Sequence, residues 1–178
     1  MKFYLTRHTQ TNYNVLGLCN SQPSVDVHIT DLGVKQAHQV AEKLAPAAFD
    51  IIFVSELKRT HQTAEIINEF HHKEIIVDGR LNDNDTGFKG KLEKEWKAVL
   101  EASHDKWNAS FNDGESLAQA KERVEQFLDD LREKDYDAVL VVTHGWIIKL
   151  IFIILMNGTF EMADRFTLKQ GEYASFVI

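Results

Sequence analysis

Two uninterrupted apolar runs constrain the fold of this chain more than any other feature. They occupy residues 51–54 and 138–142, and neither run contains a polar side chain. A strand with one solvent-exposed face alternates between apolar and polar residues, whereas a strand covered on both faces is apolar throughout. The two runs therefore predict strands at the centre of a parallel sheet with helices on both sides.

The segments around these runs have helical spacing. Apolar residues recur at helical intervals in residues 30–44, with Thr30 as the predicted N-cap, and again in residues 58–70 and 116–134. A first strand is predicted at residues 3–5 and a short one at residues 75–77, and β-like segments are expected near residues 166–168 and 173–178. This alternation predicts an α/β fold of three layers, with a mostly parallel central sheet and helices on both faces. The polar segments 79–95 and 103–115 are predicted to be loops over a site.

Length and composition set the remaining bounds. A chain of 178 residues with 44% hydrophobic residues corresponds to one domain with a substantial core, and we expect a single domain over residues 1–178. A net charge of −7 argues against non-specific nucleic-acid binding, although a few buried arginines can still attract a small anion.

The single cysteine, Cys19, excludes an internal disulfide framework and a cysteine-based zinc site. The first residues lack the apolar core of a signal peptide, and the apolar stretch 146–156 is too short to span a membrane. We therefore expect a cytoplasmic protein that associates with neither membrane nor nucleic acid. The oligomeric state stays open, and both a monomer and a homodimer fit the sequence.

Basic and imidazole side chains follow three of the predicted strands. Because the carboxyl ends of parallel strands meet at one edge of a sheet, these side chains are predicted to converge there. A helix that begins near Gly145 adds backbone N–H groups and a positive dipole end. Phosphate is the ligand that suits all of these groups, which are Arg7, His8, Arg59 and His144.

Six blocks of sequence, in order and at the expected spacing, resemble those of the histidine phosphatase superfamily, which includes the cofactor-dependent phosphoglycerate mutases. The resemblance covers nearly the whole chain and implies a phosphoglycerate mutase-like fold. The blocks are Arg7-His8 with Thr11 to Asn14, Asp26 to Ala37, Ser55 to Ala64, Leu81 to Gly90, Gly114-Glu115-Ser116 and His144-Gly145.

The resemblance implies a role for each residue of the site. His8 would be the nucleophile that forms a phosphohistidine, and His144 would complete the phosphate clamp as a charged donor. Arg7 and Arg59 would bind phosphate oxygens and lower the pKa of His8. Further hydrogen bonds to the phosphate would come from Thr11, Asn14 and the backbone N–H of Gly145.

The chain departs from the family pattern at the proton donor. The family has a glutamate two residues after the leucine of the fourth block, and this chain has Asp83 there. Asp83 would protonate the leaving group and then activate water, with Asp85 as the alternative donor. Thr9 also replaces a glycine, and it would be strained if the turn required a positive φ.

These features predict a metal-independent phosphatase, without a cofactor, that hydrolyses a small phosphomonoester through a phosphohistidine on His8. Three alternatives stay open. A phosphoglycerate-type mutase would use the same site, although such mutases are typically longer than this chain. A phosphatase of phosphohistidine proteins would have no need of the acid at Asp83. A weakly active phosphate-binding relative is suggested only by Thr9 and Asp83.

Overall fold

The computed structural model describes residues 1–178, and a five-stranded sheet forms its centre. The spatial order of the strands is β3-β2-β4-β1-β5. Strands β1 to β4 are mutually parallel, and β5 pairs antiparallel with β1 at one edge. The strands are β1 (Lys2–Arg7), β2 (Ile51–Val54), β3 (Glu74–Val77), β4 (Ala138–Thr143) and β5 (Tyr173–Val177).

Six α-helices and two 3₁₀ turns connect the strands. Helices α2 and α3 pack against one another on one face of the sheet, and α5 and α6 do so on the other. The helices are α1 (Asn12–Leu16), α2 (Asp31–Leu44), α3 (Lys58–Asn68), α4 (Glu93–Ala102), α5 (Leu117–Arg132) and α6 (Gly145–Leu155). The 3₁₀ turns are Gly79–Leu81 and Phe160–Arg165.

The all-apolar runs are central strands, as the sequence predicted. Every residue of β2 and β4 is buried. Alternate side chains enter two separate cores: Phe53 and Val141 pack with α5 and α6, whereas Val54 and Val142 pack with α2 and α3. Burial on both faces removes any pressure to alternate polar and apolar residues. The predicted three-layer α/β architecture is therefore confirmed.

Three local features differ from the sequence-based prediction. Helix α1 was not foreseen, because it is one short turn without a buried residue, held by a capping box between Thr11 and Asn14. The expected β-like segment at residues 166–168 is wrong. Phe166 follows a 3₁₀ turn and stacks on Phe152 with ring centroids 5.1 Å apart, so ring burial rather than strand pairing explains its apolar character. Helix α4 also begins at Glu93, inside the segment predicted to be a loop.

The register of the sheet brings the carboxyl ends of three strands to one edge. Arg7 pairs with Thr143, and Val54 pairs with Val142, so β1, β2 and β4 end level with one another. The residues that follow are His8, Ser55 and His144. No helix has the length and apolar content needed to cross a membrane, and the strongly apolar α6 has 11 residues.

Candidate active site

One cavity at this edge of the sheet brings most of the predicted site residues together. His144 does not itself line the cavity, and its ring centroid lies 5.2 Å from that of His8. Both histidines and Arg59 are buried. The predicted residues that line the cavity are Arg7, His8, Thr11, Asn14, Arg59, Asp83 and Gly145.

The His8 imidazole is fixed in one tautomer. Its Nδ1 lies 2.8 Å from the carbonyl oxygen of Thr9, which can only accept a hydrogen bond. Nδ1 therefore carries the proton, and Nε2 keeps its lone pair. Burial holds the pKa of His8 well below its ordinary value, and the guanidinium groups of Arg59 and Arg7 lower it further. The predicted lowering by the two arginines is confirmed, with burial as the larger cause.

Thr9 is accommodated without backbone strain. It is not among the non-glycine residues with positive φ, so the turn does not require glycine at this position. Its backbone N–H donates to Oγ1 of Thr63 on α3, 3.2 Å away, and its side chain is fully buried. The threonine therefore anchors the nucleophile loop to a helix.

The two guanidinium groups of the site are bound differently. Arg59 Nη2 donates to the carbonyl of Asn20 at 3.0 Å and to Oδ2 of Asp83 at 3.2 Å. In contrast, Nε of Arg7 is buried and has no hydrogen-bond partner. An unsatisfied buried donor on a cation is costly, and an anion in the cavity would satisfy it.

Of the two candidate proton donors, only Asp83 lines the cavity. Burial raises the pKa of Asp83, while Arg59 and Arg7 oppose the rise without cancelling it. The Asp85 carboxylate instead accepts a hydrogen bond from the backbone N–H of Gly87 at 3.1 Å. Asp85 thus shapes a turn, and Asp83 has both the position and the shifted pKa of an acid.

His144 is held by a pair of hydroxyl groups, those of Ser55 and Thr60. The Thr60 hydroxyl donates its hydrogen to the Leu57 carbonyl at 2.8 Å. The hydrogen bond of 2.9 Å between Ser55 and Thr60 must therefore use the hydrogen of the Ser55 hydroxyl, which donates to Thr60 Oγ1. Ser55 Oγ must then accept from His144 Nε2, 2.8 Å away. The Nδ1 atom of His144 has no hydrogen-bond partner and lies 3.8 Å from Oδ2 of Asp83.

The expected charge on His144 is corrected by this environment. Burial, followed by the charges of Arg59 and Arg7, holds the pKa of His144 well below its ordinary value. The imidazole is therefore neutral at neutral pH, not a charged donor. The sequence could not show this, because the ring is fully buried only in the fold.

The neutral donors of the site are only partly free. The Thr11 hydroxyl donates to Asn14 Oδ1 at 2.9 Å and accepts from the Asn14 backbone N–H at 3.1 Å, so it holds α1 in place rather than offering a free donor. Gln170 Nε2 donates to the same Oδ1 at 2.6 Å. With its oxygen occupied, Asn14 can present Nδ2 to a ligand.

Gly145 begins α6, and no side chain caps the first turn of this helix. Its exposed N–H groups and dipole favour an anion. A Cβ at this position would lie 3.2 Å from Cζ of Arg7, so the glycine permits close approach of the guanidinium to the helix.

Sequence reasoning missed several residues that line the outer part of the cavity. Trp96 and Trp146 contribute rings packed edge to face at 5.4 Å. Asn84 and Thr86 lie on the loop before α4 and Glu93 at its start, and a single sequence carries no signal that separates them from solvated residues. The remaining lining residues are Tyr13, Leu18, Cys19, Asn20 and Val27. No three histidine, cysteine, aspartate or glutamate side chains come together in an arrangement that could hold a metal ion.

Comparisons with known proteins identify relatives of this chain. The family model described as histidine phosphatase superfamily (branch 1) matches residues 3–178. The chain is 34% identical over 155 residues to a probable phosphoglycerate mutase GpmB of Proteus mirabilis, covering 82% of this chain and 70% of the relative. It is 31% identical over 181 residues to phosphoserine phosphatase 1 of Hydrogenobacter thermophilus, covering 98% and 85%.

Solved structures show the same fold. The α-ribazole phosphatase from Shigella flexneri superposes with a TM-score of 0.88 at 25% identity, covering all of this chain and 91% of that one. A phosphoserine phosphatase from Entamoeba histolytica superposes with a TM-score of 0.82 at 27% identity, covering 99% and 90%. The predicted phosphoglycerate mutase-like fold is thereby confirmed.

Proposed function

Because the chain belongs to the histidine phosphatase superfamily, we propose that it hydrolyses a small phosphomonoester, without a metal ion, through a phosphohistidine formed on His8. The observation that carries this proposal is the state of the His8 ring. Its Nδ1 proton is held by the Thr9 carbonyl, and the neutral ring is buried beside two guanidinium groups. Such a ring directs an Nε2 lone pair at an anion that the arginines bind.

In the first step, Nε2 of His8 attacks phosphorus and the P–O bond to the alcohol breaks. Asp83 gives its proton to the departing oxygen, so the alcohol leaves neutral and Asp83 becomes a carboxylate. Arg7, Arg59, the Asn14 amide and the Gly145 N–H bind the other phosphoryl oxygens. Arg7, whose Nε has no partner, and the uncapped start of α6 need little reorganisation to stabilise the transferring group, whereas Arg59 must turn from Asp83 to the phosphate.

In the second step, water attacks the phosphohistidine. The Asp83 carboxylate takes a proton from the water as its oxygen bonds to phosphorus, and the P–N bond breaks with its electron pair returning to Nε2 of His8. Phosphate leaves, and Asp83 is again protonated. His144, held by Ser55, offers Nδ1 close to the same carboxyl group.

A mutase on the same site is the second candidate, and the similarity to a probable phosphoglycerate mutase favours it. A mutase must return the phosphoryl group to an alcohol and exclude water. Release of inorganic phosphate without a phosphorylated primer would separate the two functions. A role on phosphohistidine proteins is less well supported, because an acid beside the nucleophile serves an ester with a poor leaving group.

The test is a screen of phosphomonoesters with a chelator present, comparing the wild-type chain with His8→Ala. We expect turnover of at least one ester by the wild type and a loss of at least ~10³-fold in the variant, since covalent and proton-transfer catalysis each contribute large factors. His38→Ala is the matched control, because His38 is exposed on α2. Equal rates for wild type and His8→Ala would contradict the proposal.

A trapping experiment addresses the intermediate directly. The wild-type chain is mixed with an ester labelled on its phosphoryl group and quenched in base. We expect label on His8, because the P–N bond of a phosphohistidine survives base and is hydrolysed in acid. His8→Ala should retain none. Label that survives acid, or that persists in His8→Ala, would exclude a phosphohistidine at this position.

A further inference from the structure

In the proposed mechanism, both cationic side chains of the cavity bind the phosphoryl group. No lysine lines the cavity, and its two arginines, Arg7 and Arg59, are the ones whose charges act on His8. A carboxylate on the leaving group would therefore find no further cation inside the cavity. Bidentate recognition of a second anionic group normally uses an arginine of its own.

The outer cavity carries a negative charge instead. Glu93 lines it from the first residue of α4, with its side chain 49% exposed. Lys97, on the next turn, pairs with Glu93 Oε1 at 2.8 Å but does not itself line the cavity. Burial is the main cause that raises the pKa of Cys19 and of Asp83, and the Glu93 charge adds to the rise at both, whereas Lys97 lowers the pKa of Cys19.

A second, independent observation is the side chain of Asn84. It lines the same cavity and is 4% exposed, yet its Nδ2 is buried without a hydrogen-bond partner. A buried amide donor in this state costs roughly 1–3 kcal/mol unless a ligand supplies an acceptor. The cavity is thus lined by a residue whose amide donor lacks an acceptor and by a carboxylate that attracts donors.

Resting on the proposed function, we infer that the substrate is a phosphate ester of an uncharged polyhydroxy alcohol, and that Glu93 selects against esters whose alcohol carries a carboxylate. A hydroxyl group can accept from Asn84 and donate to Glu93, so it satisfies both. A carboxylate would satisfy Asn84 and be repelled by Glu93. An ammonium group would satisfy Glu93 and leave Asn84 without an acceptor.

Two tryptophans, Trp96 and Trp146, also line the cavity. Trp96 is buried, and Trp146 is half-buried at the start of α6. Their rings give the cavity an apolar wall, which suits the C–H face of a polyol or sugar while its hydroxyls meet the polar side. The relatives named phosphoserine phosphatase are named for a carboxylate-bearing substrate, and this cavity offers that carboxylate no cation.

The experiment compares two esters that differ in one group. Glycerol 3-phosphate and 3-phosphoglycerate share a skeleton, but the second has a carboxylate in place of a CH₂OH. We expect kcat/KM of the wild type to favour glycerol 3-phosphate by about tenfold or more. Glu93→Gln should reduce this ratio several-fold, and Glu93→Lys should reverse it.

Glu95 provides the matched control. It lies in the same first turn of α4, is exposed, and does not line the cavity. Glu95→Lys makes the same change in net charge and beside the helix dipole, but outside the cavity. It should therefore leave the ratio of the two kcat/KM values unchanged. A ratio that shifts equally in both lysine variants would mean a general field effect and overturn the role of Glu93.

The remaining outcomes separate this inference from the function on which it rests. Turnover of 3-phosphoglycerate at least equal to that of glycerol 3-phosphate in the wild type overturns the inference and leaves the phosphatase activity standing. Hydrolysis of p-nitrophenyl phosphate but of neither of these two esters also overturns the inference alone, whereas failure on every ester of the screen overturns the phosphatase function and the inference with it.

Discussion

Asp83 illustrates how one side chain can be drawn toward two protonation states. Its carboxylate accepts a hydrogen bond from Arg59 at 3.2 Å, which favours the charged form, yet burial raises its pKa above the ordinary value of 3.8. A substrate phosphate would compete for the same guanidinium. Once Arg59 turns to the phosphate, the protonated form of Asp83 gains, and this is the form that an acid requires.

Replacing Asp83 with asparagine should therefore reveal its role through the leaving group. We expect kcat/KM of Asp83→Asn to fall about 10²–10³-fold for an alkyl phosphate but less than about tenfold for p-nitrophenyl phosphate, whose leaving group needs no proton. Asp85→Asn keeps the oxygen that accepts from Gly87 and should retain activity on both esters. Greater loss in Asp85→Asn than in Asp83→Asn would make Asp85 the donor.

Single residues also mark the limit of what the sequence could predict. Arg7, His8, Arg59 and Asp83 follow strand ends or family blocks, and the structure brings them into one cavity. The engagement of the Thr11 hydroxyl with Asn14 was not predictable, because it depends on a short helix without an apolar face. The unpartnered amide of Asn84 was equally hidden, since burial of a loop residue is decided by tertiary packing.

At the scale of elements, the start of α6 connects fold to function. Strand β4 delivers His144, and the helix begins at the next residue without a side-chain cap. A capping side chain would occupy the N–H groups that an anion needs. The missing cap is a local defect in the helix, and it leaves the site a ready set of donors.

Gly145→Ala should separate stability from activity at this element. Alanine is favoured over glycine in a helix by roughly 0.5–1 kcal/mol, so the free energy of unfolding should not decrease. The new Cβ would lie 3.2 Å from Arg7 Cζ and displace the guanidinium by a few tenths of an ångström. We expect kcat/KM to fall about tenfold, because catalysis depends steeply on position.

Denaturant unfolding and steady-state kinetics on the same preparation test this expectation. If the variant keeps full activity, the contact between Gly145 and Arg7 has no functional weight. If it loses stability in proportion to activity, the effect is a folding defect and the argument from close approach is wrong.

The elements themselves were predictable where burial has a regular period. The apolar stripes of α2 and α5 and the all-apolar β2 and β4 follow from which side each residue faces. The short α1 and the stretch around Phe166 were not predictable, because a single capping box and a single ring stack leave no periodic signature. Such features depend on one or two contacts with distant parts of the chain.

At the scale of the whole molecule, the sheet concentrates titratable groups in a dry place. The parallel register ends β1, β2 and β4 at one level, and this gathers two imidazoles, two guanidiniums and a carboxyl group. Both imidazoles are fully or almost fully buried. A fold that builds such a site must keep both histidines neutral, and that requirement links function to stability.

The sign of this linkage follows from the pKa shifts. The ordinary pKa of histidine is 6.5, and both His8 and His144 are held well below it in the folded chain. As pH falls below 6.5, the unfolded chain takes up a proton at each of these two histidines that the folded chain does not, so the free energy of unfolding falls. His71, whose pKa is also lowered by burial, adds to the fall. Each histidine contributes a slope of up to about 1.4 kcal/mol per pH unit. Asp83 has the opposite effect, because its pKa is raised in the folded chain. As pH rises above 3.8, the folded chain keeps a proton on Asp83 that the unfolded chain loses, so the free energy of unfolding falls.

Denaturant unfolding between pH 7.5 and 5, a window of about 2.5 units that includes the ordinary histidine pKa, measures this slope. We expect His8→Gln and His144→Gln each to remove roughly a third or more of the decline in stability with falling pH, whatever each does to stability at pH 7.5, because His71 contributes a part of its own. His38→Gln, on the exposed surface of α2, should leave the slope unchanged. The slope rather than the absolute stability is the readout, because loss of the His144 hydrogen bond to Ser55 destabilises the chain at every pH. An undiminished slope in both active-site variants would mean that the two imidazoles are not held neutral, and the lone pair assigned to His8 would lose its electrostatic basis.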